Sequence, residues 1–212
     1  METYMTEEER LEALQRWWKD HRRALLGGVL LGLAVVAGWN MWQSNRQATA
    51  EQASALYQQL LKATAEQQTE SAQKLGERIV EKYPSTLYAH YARLFLARAK
   101  VTAGDLQGAR QVLEEELAKS DDDGLKHIVR LRLASVLLGQ GEIDPALRLV
   151  EPFAAPASGK FAPLYEELKG DLLAAAKRPA EALKAYQKAK ELGNASPLLE
   201  LKLSDLPAAA GP

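Results

Sequence analysis

The sequence predicts an all-α protein, with a single N-terminal transmembrane helix followed by an α-solenoid of about four helical hairpins. Three observations carry this. The run Ala24–Asn45 holds no charge. From Gln47 on, Ala, Leu, Glu, Gln, Lys and Arg dominate, and no stretch alternates as a strand would. Four alanines, Ala72, Ala109, Ala146 and Ala182, recur at spacings of 37, 37 and 36 residues in similar helical contexts.

Composition narrows the function classes. The 212 residues carry 27 basic and 28 acidic side chains, a formal charge of -1, without the basic excess of a general nucleic-acid binder. With 47% hydrophobic residues the chain supports a packed core. The absence of cysteine excludes thiol catalysis, disulfides and cysteine zinc sites.

Ala24–Trp42 is almost wholly apolar, and at 1.5 Å per residue it spans roughly 28 Å, close to a bilayer core. A buried core helix seldom runs so long without charge. A cleaved signal peptide would need a 23-residue leading region and a small-x-small site, where Trp39, Asn40 and Trp42 stand instead. The reading is an uncleaved signal anchor. All four tryptophans flank it, Trp17 and Trp18 before and Trp39 and Trp42 at its far end, as interfacial indoles do. Arg10, Arg16, Lys19, Arg22 and Arg23 precede the span, whereas only Arg46 and Lys62 occur in residues 43–62. The positive-inside rule then places residues 1–23 in the cytoplasm and 43–212 across the membrane. Without its first 42 residues the chain has 22 basic and 22 acidic residues, so the exported part is formally neutral and predicts partner binding that depends weakly on salt.

In the stub, Thr6 with Glu9 has the spacing of a capping box, and Leu11, Leu14, Trp17 and Trp18 share a helical face, which reads as a juxtamembrane anchor. Within the span, Gly28 with Gly32, and Ala34 with Gly38, give small-xxx-small spacing through which a second helix packs closely.

The repeat region, residues 43–195, has internal checks on its register. Gly104 and Gly141 fall five residues before Ala109 and Ala146, where a hairpin turn needs positive φ. Gly76, Leu113, Val150 and Tyr186 follow the four alanines by four residues, on the inward stripe. Asp144–Pro145 is expected to open one helix, and Ser85 and Asp123 to cap two others. Tyr83–Pro84 ends the first hairpin. Longer connections are expected at Ser120–Gly124 and around Ala154–Pro163. Residues 196–212 read as a cap on the last hydrophobic face, with a partner-binding or self-docked peptide as the alternative, and Ser196–Pro197 as its helix start. The final AAAGP is expected to fray.

No motif of catalysis or cofactor binding occurs. The three histidines are scattered, HExxH, P-loop, GxSxG and GxGxxG are lacking, and Asp121–Asp123 lacks calcium-loop spacing. Glu114–Glu116 is read as an exposed helix face. No enzyme activity and no cofactor are expected. A binding module is, with the first helix of each hairpin lining the concave side: Tyr57, Leu61, Tyr91, Leu94, Arg98, Ile128, Leu131 and Leu138.

The alanines and turn glycines resemble a divergent tetratricopeptide repeat array, clearest where Gly170 precedes Ala182, Tyr186 and Ala189; the usual first-helix tryptophan is missing. The block WWKDHRRALLGGVLLGLAVVAGWNMW and the tail LKLSDLP together resemble the YfgM family of bacterial inner-membrane proteins. That resemblance implies an ancillary subunit of the SecYEG translocon that acts with the membrane-anchored periplasmic chaperone PpiD on secreted chains, and an association with the response regulator RcsB. The alternative is a structural scaffold for another inner-membrane envelope complex. Homo-oligomerisation is compatible with either. The charge asymmetry is tested by adding protease to spheroplasts: residues 43–212 should be digested and a small membrane-protected stub left, whereas full protection would reverse the orientation.

Overall fold

The structure, a computed structural model, describes residues 7–205. Every regular element in it is helical among the described residues. Two compact units occur, Met1–Gln52 and Ala53–Pro212. The described residues of the first unit lie within one helix, α1 (Glu7–Ala65), whose stretch Leu26–Ala65 is long and apolar enough to cross a membrane by length and composition. The Thr6–Glu9 capping box and the AAAGP tail lie outside the described residues and side chains.

In the second unit, the end of α1 pairs with α2 (Thr69–Lys82), α3 (Leu87–Thr102) with α4 (Leu106–Lys119), α5 (Asp123–Gly139) with α6 (Ile143–Val150), and α7 (Ala162–Ala175) with α8 (Pro179–Glu191). A last helix, α9 (Pro197–Asp205), packs on α8. These are the four expected hairpins and a C-terminal cap.

The hairpin register follows the alanines. Ala72, Ala109, Ala146 and Ala182 are all at most 1% exposed. Ala109, Ala146 and Ala182 belong to one core cluster that runs from α3 to α9, and a smaller cluster around Leu60, Ile79, Ala89 and Ala92 joins α1, α2 and α3. The stripe four residues on is buried too, at Gly76, Leu113, Val150 and Tyr186. Gly76 stands where the other repeats carry a large residue because Leu96 already fills the space: a Cβ there would lie 3.2 Å from Leu96 Cδ2 and 3.4 Å from Leu60 Cδ1. In the fourth hairpin the roles are exchanged, and a Cβ on Gly170 would run into the Tyr186 ring.

Each hairpin turn uses one residue with positive φ, at Gln67 (60°), Gly104 (80°), Gly141 (78°) and Lys177 (59°). All four lie five residues before the repeat alanine. Left-handed backbone is free for glycine but costs other residues on the order of 1 kcal/mol, so the first and last turns keep the geometry at that cost. The helix starts differ in detail from expectation. Thr86, not Ser85, caps α3 by accepting from the Ala89 N–H, and Asp122, not Asp123, caps α5 by accepting from Leu125 N–H at 2.6 Å. Each is the neighbour of the expected residue, shifted by where the preceding helix ends. Asp144 is not an N-cap: α6 begins at Ile143, so Asp144 and Pro145 lie in its first turn. Asp105, unremarked in the sequence, caps α4 through Gly108 N–H.

The expected Ser120–Gly124 loop contracts to Ser120–Asp122 between α4 and α5. The segment after α6 is longer and forms 3₁₀ turns at Glu151–Phe153 and Pro156–Phe161. Aromatic contacts hold it down. His127 of α5 stacks on Phe161 at 4.6 Å, Phe153 stacks on Tyr165 at 5.5 Å, and the Arg130 guanidinium lies 3.9 Å over Phe153. Burial, followed by the Arg130 charge, lowers the His127 pKa and favours its neutral ring.

Glu116 corrects the reading of Glu114–Glu116 as an outer face. Its side chain is fully buried, 3.0 Å from Arg93 Nη1 and 2.5 Å from His90 Nδ1, both on α3. Helical rotation alone separates it from its neighbours: Glu114 and Glu115 point outward and pair with Arg110 and Lys119. A second polar clasp fixes α9. Lys202 Nζ reaches Glu167 at 2.7 Å and Asp171 at 2.8 Å on α7, while the Tyr186 hydroxyl donates to Asp171. Beneath them Leu199 is fully buried, and Leu198 N–H donates to Ser196 Oγ at the helix start.

Two substitutions test this packing, each read by thermal or denaturant unfolding of the full chain. Ala146→Phe should overfill the hairpin contact and cost about 1–3 kcal/mol, while a change at exposed Arg148 stays within about 0.5 kcal/mol. Glu116→Ala should strand the Arg93 charge in the interior and cost about 3–5 kcal/mol, against about 0.5 kcal/mol or less for Glu115→Ala.

Candidate partner-binding groove

The first-helix face of the array is built by α1 after residue 53, α3 and α5. Tyr57 of α1 is half-buried and packs its ring 5.7 Å from Tyr88 and 5.9 Å from Tyr91 of α3, in tilted geometry. Tyr91 and Leu61 remain exposed at 39% and 51%, as does Ile128 of α5. Two depressions open on this side. One, about 350 Å³, lies between α1, α2 and α3 and includes Thr64, Phe95 and Arg98. The other, about 550 Å³, lies between α3 and α5 over the α4 side chains Leu106 and Leu113. Its apolar lining includes Ala97, Val101, Leu131 and Val136, and Arg98 and Arg132 stand at it.

Of the eight residues expected on this face, Arg98 and Leu131 line the second groove, and Tyr57 and Tyr91 form the aromatic pair. Leu61 and Ile128 are exposed side chains of α1 and α5 outside either lining. Leu94 is a correction: at 7% exposure it belongs to the core cluster, because α3 turns residues 94 and 97 toward the neighbouring helices while 91, 98 and 101 face outward. Leu138 is half-buried and packs against the same core.

Arg132 was missed by sequence reasoning. The first helices end at Ala65, Thr102, Gly139 and Ala175, at the same spacings of 37, 37 and 36 as the repeat alanines, so Arg132 is not the repeat equivalent of Arg98 and no offset in the sequence singles it out. Its Nη1–H donates to the Leu94 carbonyl at 3.3 Å. Partial burial, then the like charge of Arg98, lowers the Arg132 pKa. Neither arginine makes an ion pair among the described residues, whereas Arg93, Arg110, Arg178 and Lys202 each do. Formal neutrality of the array therefore conceals a locally positive groove, and the expectation of salt-insensitive binding does not extend to it.

No group of three or more His, Asp or Glu side chains could hold a metal ion among the described residues. His90 and His127 are engaged separately, with Glu116 and with the aromatic cluster.

In the first unit, Gly28, Gly32 and Gly38 have no neighbouring atom within 4 Å of a built Cβ, and Ala34 is exposed. Trp17, Trp18, Trp39 and Trp42 are exposed as well. Trp17 stacks with His21 at 5.2 Å, Trp39 packs on Trp42 at 5.1 Å, and the Arg46 guanidinium lies 4.7 Å over Trp42. The far end of the apolar run thus carries an aromatic pair and a cation in contact, a combination suited to a headgroup region.

The comparisons agree with this architecture. Residues 15–208 match the model of a tetratricopeptide repeat-like domain. The solved structure of Pseudomonas aeruginosa pilF superposes with a TM-score of 0.61 at 23% identity, over 75% of this chain and 69% of that one. A MamA fragment from Desulfovibrio magneticus gives 0.57 at 18%, over 71% and 81%. At these identities the two structures support the helical-repeat fold alone. Sequence relatives reach further. The ancillary SecYEG translocon subunit of Aggregatibacter actinomycetemcomitans is 31% identical over 94% of this chain and 97% of its own, and that of Escherichia coli is 31% identical over 82% of each. An apolar N-terminal helix, four hairpins with a cap, and full-length similarity of this kind converge: the chain belongs to the family of ancillary SecYEG translocon subunits, with a tetratricopeptide repeat-like domain.

Proposed function

We propose that this chain is a membrane-anchored, protein-binding adaptor of the SecYEG translocon. Residues 24–42 form a single span of the bacterial inner membrane, residues 1–23 lie in the cytoplasm, and residues 43–212 lie in the periplasm. There the repeat array holds a PpiD-like, membrane-anchored chaperone and acts on secreted chains. The observation that carries the reading is the pairing, in one chain, of an apolar helix with small residues at helix-packing spacing and an array with a groove on its first-helix face. The near full-length similarity to translocon subunits supplies the partner class.

Labour divides between the two units in this account. Gly28, Gly32, Ala34 and Gly38 let a neighbouring membrane helix approach, with Trp17, Trp18, Trp39 and Trp42 setting depth. Tyr57, Tyr91 and the groove residues engage the periplasmic partner. Leu94→Ala is a poor probe of that contact, since it removes core volume.

Isolation of the full chain from membranes in mild detergent tests the reading. SecY, SecE and SecG should co-purify with it, together with a PpiD-like chaperone. Gly28→Leu with Gly32→Leu should reduce recovery of the translocon subunits, and Tyr57→Ala with Tyr91→Ala should reduce recovery of the chaperone while leaving the translocon bound. Recovery of another envelope complex in place of SecYEG would make the chain a scaffold for that complex and overturn the translocon assignment.

A further inference from the structure

We propose that the groove between α3 and α5 docks an acidic, leucine-type peptide segment of a partner protein, with an apolar side chain in the depression and a carboxylate held between Arg98 and Arg132. The proposal rests on the adaptor reading above and specifies the chemistry that its groove selects.

Charge selects an anion. Arg98 and Arg132 come from different helices and stand at the same depression. Three other guanidiniums of the array are held by carboxylates. Arg93 is paired with Glu116, Arg110 with Glu114 and Glu142, and Arg178 with Glu181. Here two cations share one rim and no carboxylate of the described chain reaches either. An incoming carboxylate would relieve that repulsion and accept charge-assisted hydrogen bonds from both forks.

Shape selects a peptide to carry it. The floor and walls are apolar, from Ala97, Leu106, Leu113, Leu131 and Val136, and Val101 is 41% exposed at the side. A volume of about 550 Å³ takes a leucine-sized side chain together with its neighbours. A free phosphate or a phospholipid headgroup would use the guanidiniums and leave these walls wet. A peptide in which acidic and aliphatic side chains alternate uses both. Arg132 is also tethered through its bond to the Leu94 carbonyl, so less rotamer freedom is lost when it grips a ligand.

The test uses the full chain in detergent micelles and a fluorescent, leucine-rich synthetic peptide carrying glutamates, compared with its twin carrying glutamine. By anisotropy the acidic peptide should bind roughly tenfold tighter, as expected for charge-assisted hydrogen bonds in a partly desolvated site. Raising the salt should narrow the difference. Arg98→Gln with Arg132→Gln should abolish it. The double variant loses the Arg132 bond to the Leu94 carbonyl but sheds the repulsion between the two guanidiniums, so its unfolding midpoint should shift little, which shows that it is folded. Equal binding of the two peptides, binding of neither, or a preference that survives the double substitution would overturn the proposal. So would displacement of the acidic peptide by inorganic phosphate or by phosphatidylglycerol vesicles at comparable concentration, which would make this an anion or lipid site. A dimer that dissociates in the double variant would assign the groove to a second copy and overturn the proposal as well. Failure here is separable from failure of the adaptor reading: co-purification of SecYEG through the anchor should persist in the double variant, and its loss from the unmodified chain bears on the adaptor reading alone.

Discussion

Two helices cross at an alanine in every hairpin, and the rest of the array follows from that contact. A methyl group at Ala72, Ala109, Ala146 or Ala182 lets the second helix lie against the first closely enough for the next turn to bury Leu113, Val150 or Tyr186. Once this distance is set, the turn five residues upstream must reverse the chain tightly. It does so with a left-handed residue even where that residue is glutamine or lysine. The backbone geometry is constant and the side chain that tolerates it is not. Packing of the hairpin outweighs local preference at Gln67 and Lys177.

This ordering explains what could be read from residues alone. The small positions and turn glycines lie at fixed offsets from one another, so the hairpins, their register and the buried stripe were legible, as were the apolar helix and the capping role of Ser196–Pro197. Helix starts were legible to within a residue or two, because several Ser, Thr and Asp side chains compete for each cap and the end of the preceding helix selects among them. Thr86 in place of Ser85 is an example. Glu116 was not legible. Three consecutive glutamates look alike in sequence, and only the rotation of α4 toward Arg93 and His90 separates a buried charge from two solvated ones.

The candidate site was half legible for a related reason. A residue's face is set by the helices on both of its sides. α3 packs against α2 and α4, so its outward sector is narrow, and Leu94 falls just outside it whereas Arg98 falls within. Arg132 escaped attention because it is not the repeat equivalent of Arg98: the first helices keep the same 37, 37 and 36 spacing as the alanines, and the two arginines meet at one depression through the packing of α3 beside α5.

The clasp of Lys202 on Glu167 and Asp171 has a consequence for assembly. A helical-repeat stack is, in principle, a monomer for polymerisation, because each hairpin presents to the next the same kind of surface that it receives. Here the terminal surface over α7 and α8 is occupied by Leu199 of α9 and locked by a lysine that two carboxylates share. The lock is ionic at its rim and oily beneath, so a foreign hairpin would have to displace both kinds of contact at once. End-on growth into fibres through this surface would first require α9 to be displaced.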